Sequence, residues 1–144
     1  MLFSTSTGYA LQILAALPDD GTCRPVEELS EALALPASEL AEVIQPLVQG
    51  GILRSARDPG DGFRLARPAR CITVGEVLEV LEGPDALDGC LLGLPTCGPE
   101  NPCPLHVLWS EVKAQMDVSL SQATIRELQR LAPSKRRLIA AATA

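Results

Sequence analysis

The chain has 144 residues, which is short enough for one domain and long enough to bury a hydrophobic core without disulfide bonds. Its net charge of -6 excludes a nucleic-acid binder that is basic over its whole surface, although a local basic stripe remains compatible with DNA binding. No apolar run reaches the roughly 18 residues of a membrane span, and the first residues lack the features of a signal peptide, so we expect a cytoplasmic protein with no membrane partner.

Three helices are predicted in the first third of the chain. The first covers residues 8–17, with Ser6 or Thr7 as its N-cap. The second covers residues 25–33 and starts with a proline and two acids, which suit the first turn of a helix. The third covers residues 37–48 and contains Pro46, which removes a backbone hydrogen bond and favours a kink in the final turn.

A β-hairpin is predicted next. Residues 52–56 and 62–66 are short apolar segments, and residues 57–61 between them are typical of a turn. Short helices followed by a hairpin predict a winged helix. Thr73 and Glu76 then form a capping-box pair that begins a fourth helix, which ends near Gly83.

The most informative segment is CLLGLPTCGPENPCPLH. Six residues separate Cys90 from Cys97, five separate Cys97 from Cys103, and the only histidine, His106, follows three positions later. Frequent proline and glycine predict no regular structure over residues 89–104. Soft ligands at such intervals in a loop converge readily on one metal centre, and in a reducing cytosol clustered cysteines favour metal ligation or redox sensing over disulfides.

A long amphipathic helix is predicted after the cysteines. Apolar residues recur every three or four positions over residues 105–120, which is typical of a helix that packs on a partner. Thr124 and Glu127 repeat the capping-box pattern before a last short helix. The chain ends in a basic cluster at 135–137 and an alanine-rich tail.

Four strings carry a resemblance to a known family: STGYALQIL, GGILRSARDPGDGFRLAR, ITVGEVLEVLEGP, and the three cysteines followed by HVLW. In this order they resemble the IscR/NsrR-like family of winged-helix iron–sulfur transcription regulators. The resemblance implies a mostly α fold with a small β-hairpin wing and a long dimerisation helix. It divides the chain into a winged helix-turn-helix region with its following helix (residues 1–83), a cluster-binding cysteine loop (84–104), the dimerisation and terminal helices (105–131), and a flexible tail (132–144).

The resemblance also implies a ligand set. Cys90, Cys97 and Cys103 match the three thiolate ligands of the family, and His106 matches the fourth ligand of IscR-like members. Mixed ligation of this kind favours a [2Fe–2S] cluster over a [4Fe–4S] cluster. NsrR-like members use an aspartate from the other subunit at the position matching Gly8, which has no side chain to offer. The first cysteine interval is one residue longer than is usual in the family.

Alternatives to the cluster follow from the same residues. Three thiolates and an imidazole are also an ordinary ligand set for structural zinc. The fourth position, which His106 matches, is also open to water, a small thiol or a residue of the partner chain. Outside the loop, Cys23 and Cys71 are expected to be small buried residues without a metal.

A basic stripe in and after the hairpin indicates the second function, binding of double-stranded DNA by a homodimer. Wing arginines suit phosphate contacts and insertion into the minor groove, whereas Glu39 and Glu42 in the third helix repel phosphate and restrict base recognition to few positions. The candidate DNA-binding residues are Ser38, Gln45, Arg54, Arg57, Arg64 and Arg67.

Catalysis is not expected. The chain has one histidine, no nucleotide-binding glycine pattern and no nucleophile elbow, so neither enzymatic activity nor a small-molecule substrate is predicted. The remaining alternative is a metal-free interaction module that no longer binds DNA, which is favoured by Pro46 and by the scarcity of basic residues in the third helix.

Overall fold

A computed structural model describes residues 3–130 and confirms the predicted fold class. None of the helices in this part of the chain is long and apolar enough to cross a membrane. The predicted tail at 132–144, with its basic cluster, lies outside the described residues. The elements are helices α1 (Thr5–Ala16), α2 (Val26–Leu33), α3 (Ala37–Gln49), α4 (Val74–Glu82), α5 (His106–Gln122) and α6 (Ile125–Gln129), and strands β1 (Leu53–Ser55) and β2 (Phe63–Leu65).

Helices α1, α2 and α3 pack around one core. Their buried side chains recur at spacings of three and four residues, which places them on one face of each helix. Burial of each such side chain contributes roughly 1.5–3 kcal/mol before conformational entropy is subtracted. Large side chains of α1 and α3 that are fully buried include Ile13, Leu14, Leu40, Ile44 and Leu47.

The turn between α2 and α3 depends on one unusual backbone conformation. Ala34 caps α2 in the left-handed region, with φ 56° and ψ 41°. The N–H of Leu35 donates to the carbonyl of Ser30, and the Ser30 hydroxyl donates back to the Leu35 carbonyl at 2.6 Å. Helix α3 then continues through Pro46 to Gln49, one residue beyond its predicted end, and the Pro46 carbonyl still accepts the N–H of Gly50.

The wing is the predicted hairpin. Strands β1 and β2 are antiparallel, with Leu53 opposite Leu65 and Arg54 opposite Arg64. The backbone of Arg24 adds a further pairing, because it exchanges two hydrogen bonds with Phe63 at 2.8 and 3.0 Å.

Glycine is required where the hairpin meets the backbone of Arg24. Gly62 has φ +88°, and a Cβ atom there would lie 1.9 Å from the Arg24 carbonyl oxygen. Any larger residue would therefore separate the wing from the preceding segment.

Helix α1 begins three residues earlier than predicted, at Thr5 rather than Gly8. Its N-cap is Ser4 instead of Ser6 or Thr7, and the Ser4 side chain accepts the N–H of Thr7. Ser4 also bonds to Glu82 at the end of α4. The predicted cap was wrong, and the contact that holds Ser4 in place comes from a carboxylate 78 residues away, which local sequence does not reveal.

The capping-box prediction is confirmed in full at the start of α4, where Thr73 and Glu76 form both hydrogen bonds. At the start of α6 it is confirmed in part, since the Thr124 side chain accepts the N–H of Glu127, which is one of the two hydrogen bonds of such a box. Between these helices, α5 packs against α4. The chain then returns to the core, where Ile125 is fully buried.

The two cysteines outside the loop are less buried than expected. Cys23 is half-buried, and Cys71, the last residue of a 3-10 turn, is exposed. The expectation of burial was therefore wrong for Cys71, because the turn at Ala69–Cys71 buries Ala69 and leaves the thiol at the surface.

Candidate functional site

The loop between α4 and α5 brings its three cysteines together. The sulfur atoms of Cys90, Cys97 and Cys103 all lie within 4.8 Å of one another, and each cysteine is half-buried. They form the one group of three or more potential metal ligands found within residues 3–130. The spacing of the cysteines along the chain therefore does translate into proximity in space.

Two short distances define the geometry of this group. The sulfur atoms of Cys90 and Cys103 are 3.7 Å apart, and the Cys97 sulfur is 3.5 Å from Nδ1 of His106. Two thiolates on one tetrahedral metal ion lie about 3.8 Å apart when each bond is about 2.3 Å. Both contacts therefore suit pairs of ligands to a metal, although His106 is not within the mutual 4.8 Å group.

Backbone N–H groups point at the first cysteine. Hydrogen bonds from the backbone of Leu94 and, to a smaller extent, Leu92 lower the pKa of Cys90 to about 7, against the opposing effect of burial. The neighbouring thiols of Cys103 and Cys97 lower it further. A thiolate, rather than a thiol, is the form that binds a metal.

The pKa of Cys103 is shifted in the opposite direction from that of Cys90. Burial raises the pKa of Cys103, and the adjacent Cys97 and Cys90 raise it further, while the backbone of Leu105 acts in the other direction. The backbone N–H of Cys103 also donates to the Cys97 sulfur at 3.4 Å. The three sulfurs are thus close neighbours, and a bound cation would displace the protons of their thiols.

The loop ends directly at α5. His106 is the first residue of that helix, and its N–H donates to the carbonyl of Cys103 at 3.0 Å. The last cysteine and the histidine are therefore held in a fixed relation by the start of the helix.

These residues fit a metal or an iron–sulfur cluster. The donor set consists of three thiols and one imidazole, the thiols are close together, and N–H groups already face two of the sulfurs. N–H donors of this kind orient thiolates and stabilise their charge. The arrangement is compatible with either iron or zinc.

The exposed face of α3 is the candidate recognition surface. Ser38 and Gln45 are both exposed, as a direct contact with DNA would require. Glu39 is engaged within the fold, because it bonds to the hydroxyl of Tyr9, whose pKa is raised first by burial and then by this carboxylate. Glu42 is exposed on the same helix.

Three of the predicted wing arginines have no acidic partner. Arg54 and Arg57 are exposed, Arg64 is half-buried, and within residues 3–130 no ion pair involves any of them. Arg54 and Arg64 lie directly opposite each other on the two strands, where like charges are destabilising. The wing therefore concentrates positive charge that an anion would relieve.

Arg67 differs from the other arginines. Its Nη1 atom donates to the carbonyl of Cys71 at 3.0 Å and to Glu76 Oε1 at 3.2 Å. Hydrogen bonds to Glu76 from the backbone of Thr73 and from Arg67 outweigh burial and leave the pKa of this carboxyl lowered. Arg67 thus links the end of the wing to the start of α4, and its role as a DNA contact stays a prediction.

The long helix exposes apolar side chains. No residue of α5 is fully buried, and Val107 is 69% exposed. The apolar residues predicted over 105–120 do not share one environment. Four of them are half-buried, namely Leu105, Trp109, Met116 and Leu120, whereas other apolar residues of the helix face solvent. The exposed ones are Val107, Leu108, Val112 and Val118.

Sequence comparison identifies regulators of transcription. The model of the Rrf2 family, described as iron-dependent transcriptional regulators, matches residues 3–130. A protein of Aquifex aeolicus named as an HTH-type transcriptional regulator is 33% identical over 132 residues, which cover 89% of this chain and 91% of the relative. The HTH-type transcriptional regulator IscR of Escherichia coli is 29% identical over 127 residues, with 86% and 78% covered.

Solved structures share the fold. CymR, the global cysteine regulator of B. subtilis, matches with a TM-score of 0.74 at 24% identity, covering 90% of this chain and 97% of that chain. IscR of T. potens matches with a TM-score of 0.66 at 24% identity, covering 90% and 91%. The family and the relatives from Aquifex aeolicus and Escherichia coli are described as transcription regulators rather than enzymes, in agreement with the sequence-based expectation.

Proposed function

Because the chain belongs to the Rrf2 family of iron-dependent transcriptional regulators, we propose that it is a homodimeric DNA-binding regulator that senses through an iron–sulfur cluster. The observation that carries the proposal is the convergence of the three cysteine sulfurs within 4.8 Å. Cys90, Cys97 and Cys103 would hold the cluster, with His106 as the fourth ligand. When bound, a cluster supplies iron that exchanges electrons and reacts with nitric oxide.

A [2Fe–2S] cluster is favoured by the mixed ligand set. The imidazole of His106 lies 3.5 Å from the Cys97 sulfur, and a neutral imidazole in place of a thiolate raises the potential of such a centre. The residues of the loop orient their sulfurs through backbone N–H groups, and the start of α5 holds His106 near them. A change in ligation would therefore alter the loop at the point where the long helix begins.

DNA binding is supported by the unpaired arginines of the wing. Arg54, Arg57 and Arg64 offer charge to phosphates, with Arg67 as a further contact. Ser38 and Gln45, exposed on α3, supply hydrogen bonds to bases or phosphates. Two copies of this surface in a dimer would read two half-sites.

The homodimer would form through α5. This helix has 17 residues and presents four exposed apolar side chains, of which Val107 and Leu108 are more than half exposed. An apolar helix face of this kind is ordinarily covered by a partner. A second copy of the chain is the partner that would also supply the second DNA-binding surface of the proposed dimer.

A structural zinc site is the second candidate. It is favoured by the compactness of the sulfur group, because ligands on one tetrahedral ion lie closer together than ligands on two different metal ions. In this case Cys90, Cys97, Cys103 and His106 would brace the loop without sensing.

Metal content tests the cofactor. We would purify the protein without oxygen, record its absorbance, and measure iron, sulfide and zinc in the parent, in Cys97→Ser and in the matched control Cys71→Ser. We expect iron and sulfide in the parent and in Cys71→Ser, and a loss of both in Cys97→Ser. Zinc without sulfide would identify the structural zinc site. A product that stays metal-free after reconstitution would overturn both the cluster and the zinc site.

Mobility shifts against genomic fragments test the DNA function. Replacing Arg54 or Arg64 with alanine should weaken binding and reduce the slope of log affinity against log salt by about 0.9 for each phosphate that is no longer neutralised. Arg130→Ala removes the same charge at the end of α6 and should leave the slope unchanged. No binding in any metal state would instead favour an interaction module.

A further inference from the structure

Two side chains of α5 hold the segment that precedes the cysteine loop. The indole N–H of Trp109 donates to the carbonyl of Gly89 at 2.7 Å, and Nζ of Lys113 donates to the carbonyl of Asp88 at 3.4 Å. The two residues lie one helical turn apart and contact consecutive carbonyl groups. Cys90 follows Gly89 directly in the chain.

These contacts close the loop on itself. Its last cysteine, Cys103, is tied to α5 by the hydrogen bond from the N–H of His106. Its first cysteine is tied to the same helix through Gly89 and Trp109. Both ends of the loop are thus fixed to one rigid element, and the Cys90 and Cys103 sulfurs meet at 3.7 Å.

We propose that Trp109 is a positioning residue that holds Cys90 against Cys103 and so prepares the metal site. The effect on metal binding rests on the proposed cofactor, whereas the positioning of Cys90 rests on hydrogen bonds of the chain itself. The hydrogen bond lies near the surface and joins residues twenty positions apart. Among the described residues, the other hydrogen bond that joins this segment to α5 is the longer one from Lys113 to Asp88.

Disulfide formation in the metal-free protein measures this positioning directly. All variants carry serine in place of Cys23 and Cys71, so that only loop cysteines react. Diamide takes two electrons and two protons from a pair of thiols, and mass spectrometry reports the rate at which the bond forms. Cys97→Ser leaves the pair Cys90 and Cys103, whereas C90S leaves Cys97 and Cys103 as the matched control.

In the first background, Trp109→Phe should slow disulfide formation by about fivefold, the factor that corresponds to one net hydrogen bond. In the control background the rate should not change, because Trp109 does not hold either cysteine of that pair. The proposal would be overturned if Trp109→Phe slowed disulfide formation equally in both backgrounds, or if it slowed it in neither background. Benzothienylalanine at position 109 replaces the indole N–H by sulfur and keeps the ring, so it separates the hydrogen bond from packing.

Metal affinity gives the second measurement, in the chain with all five cysteines. Cadmium titration, followed by thiolate absorbance, should show at least about a tenfold weaker affinity in Trp109→Phe, as is typical when a group that orients a ligand is removed. Unchanged affinity would contradict the proposed consequence for the site. If the parent binds no cadmium while the disulfide rates behave as expected, the cofactor proposal fails and the positioning role of Trp109 stands.

Discussion

The hydroxyl of Thr7 in α1 donates a hydrogen bond to Oε1 of Glu82 at the end of α4, with 2.6 Å between the oxygens. The backbone N–H and the hydroxyl of Ser4 donate to the same oxygen at 2.7 and 2.6 Å. One carboxylate therefore joins the start of the first helix to the end of the fourth. Hydrogen bonds from the hydroxyls of Ser4 and Thr7 lower the pKa of Glu82.

Replacing Glu82 with glutamine should lower the free energy of unfolding by about 1 kcal/mol at pH 7, because hydrogen bonds to a charged acceptor are stronger than those to a neutral one. The lowered folded-state pKa makes this contribution complete above the ordinary glutamate value of about 4.3 and removes it as the pH falls through the folded value. Urea unfolding between pH 3 and 7, roughly the range that spans this titration, measures the difference. Glu79→Gln, at an exposed position of the same helix, should leave the free energy of unfolding at pH 7 nearly unchanged.

Replacing Ala34 with glycine should stabilise the protein by about 0.5–1 kcal/mol, since glycine adopts the left-handed conformation without the steric cost that alanine bears. Ala32→Gly should instead lower the free energy of unfolding by about 0.5–1 kcal/mol, because Ala32 lies at an exposed position inside α2, where glycine is unfavourable. Thermal and urea unfolding of the two variants should therefore move in opposite directions. A loss of stability in Ala34→Gly would contradict the assigned conformation.

Replacing Gly62 with alanine should disrupt the packing of the wing against the backbone of Arg24. The added Cβ would overlap the Arg24 carbonyl and strain a positive φ, which we expect to cost at least about 2 kcal/mol. Gly60→Ala, in the same turn, adds a Cβ with nothing within 4 Å and should be tolerated. DNA affinity and the free energy of unfolding, measured together, should both decline in the first variant, and neither should decline in the second.

Two neighbouring arginines should separate stability from DNA affinity. Arg67→Met removes hydrogen bonds to Cys71 and Glu76 and should cost about 0.5–1 kcal/mol of stability, a modest value because the pair is partly exposed. Arg64→Ala should leave stability unchanged, or raise it slightly by relieving repulsion from Arg54, while it weakens DNA binding. If Arg67→Met reduces the salt slope without any change in unfolding, its ion pair contributes nothing to the fold.

Features with a local cause were predictable from the sequence. The capping box of Thr73 and Glu76 lies within one helical turn, and the hairpin follows from the turn residues between two apolar segments. The convergence of the cysteines followed from their spacing in a loop that glycine and proline keep irregular. In each case the residues that decide the structure are close together in the chain.

Features with a distant cause were not predictable. The hydrogen bond of Glu82 with Ser4, the N-cap of α1, joins residues 78 positions apart, and that of Trp109 with Gly89 joins residues twenty positions apart. The hydrogen bond between Tyr9 and Glu39 likewise joins two helices. In the sequence, Trp109 is one of several apolar residues of a helix, and nothing nearby indicates that its indole N–H has a hydrogen-bond acceptor. Only the folded loop shows that the acceptor is the Gly89 carbonyl.

Helix α5 is anchored at one end and carries the cysteine loop at the other. Beside its last residues, backbone hydrogen bonds join Val74 to Ala123 and Ile125 to Ile72 at 2.8 and 2.9 Å. The 17 residues of the helix extend about 25 Å from this anchor, so a tilt of about 10° moves the far end by about 4 Å. The helix therefore has the geometry of a lever. Under the proposed function, a displacement of several ångströms at the cysteines would reach the winged helix as a small rotation and would change the orientation of the wing and α3 without unfolding them.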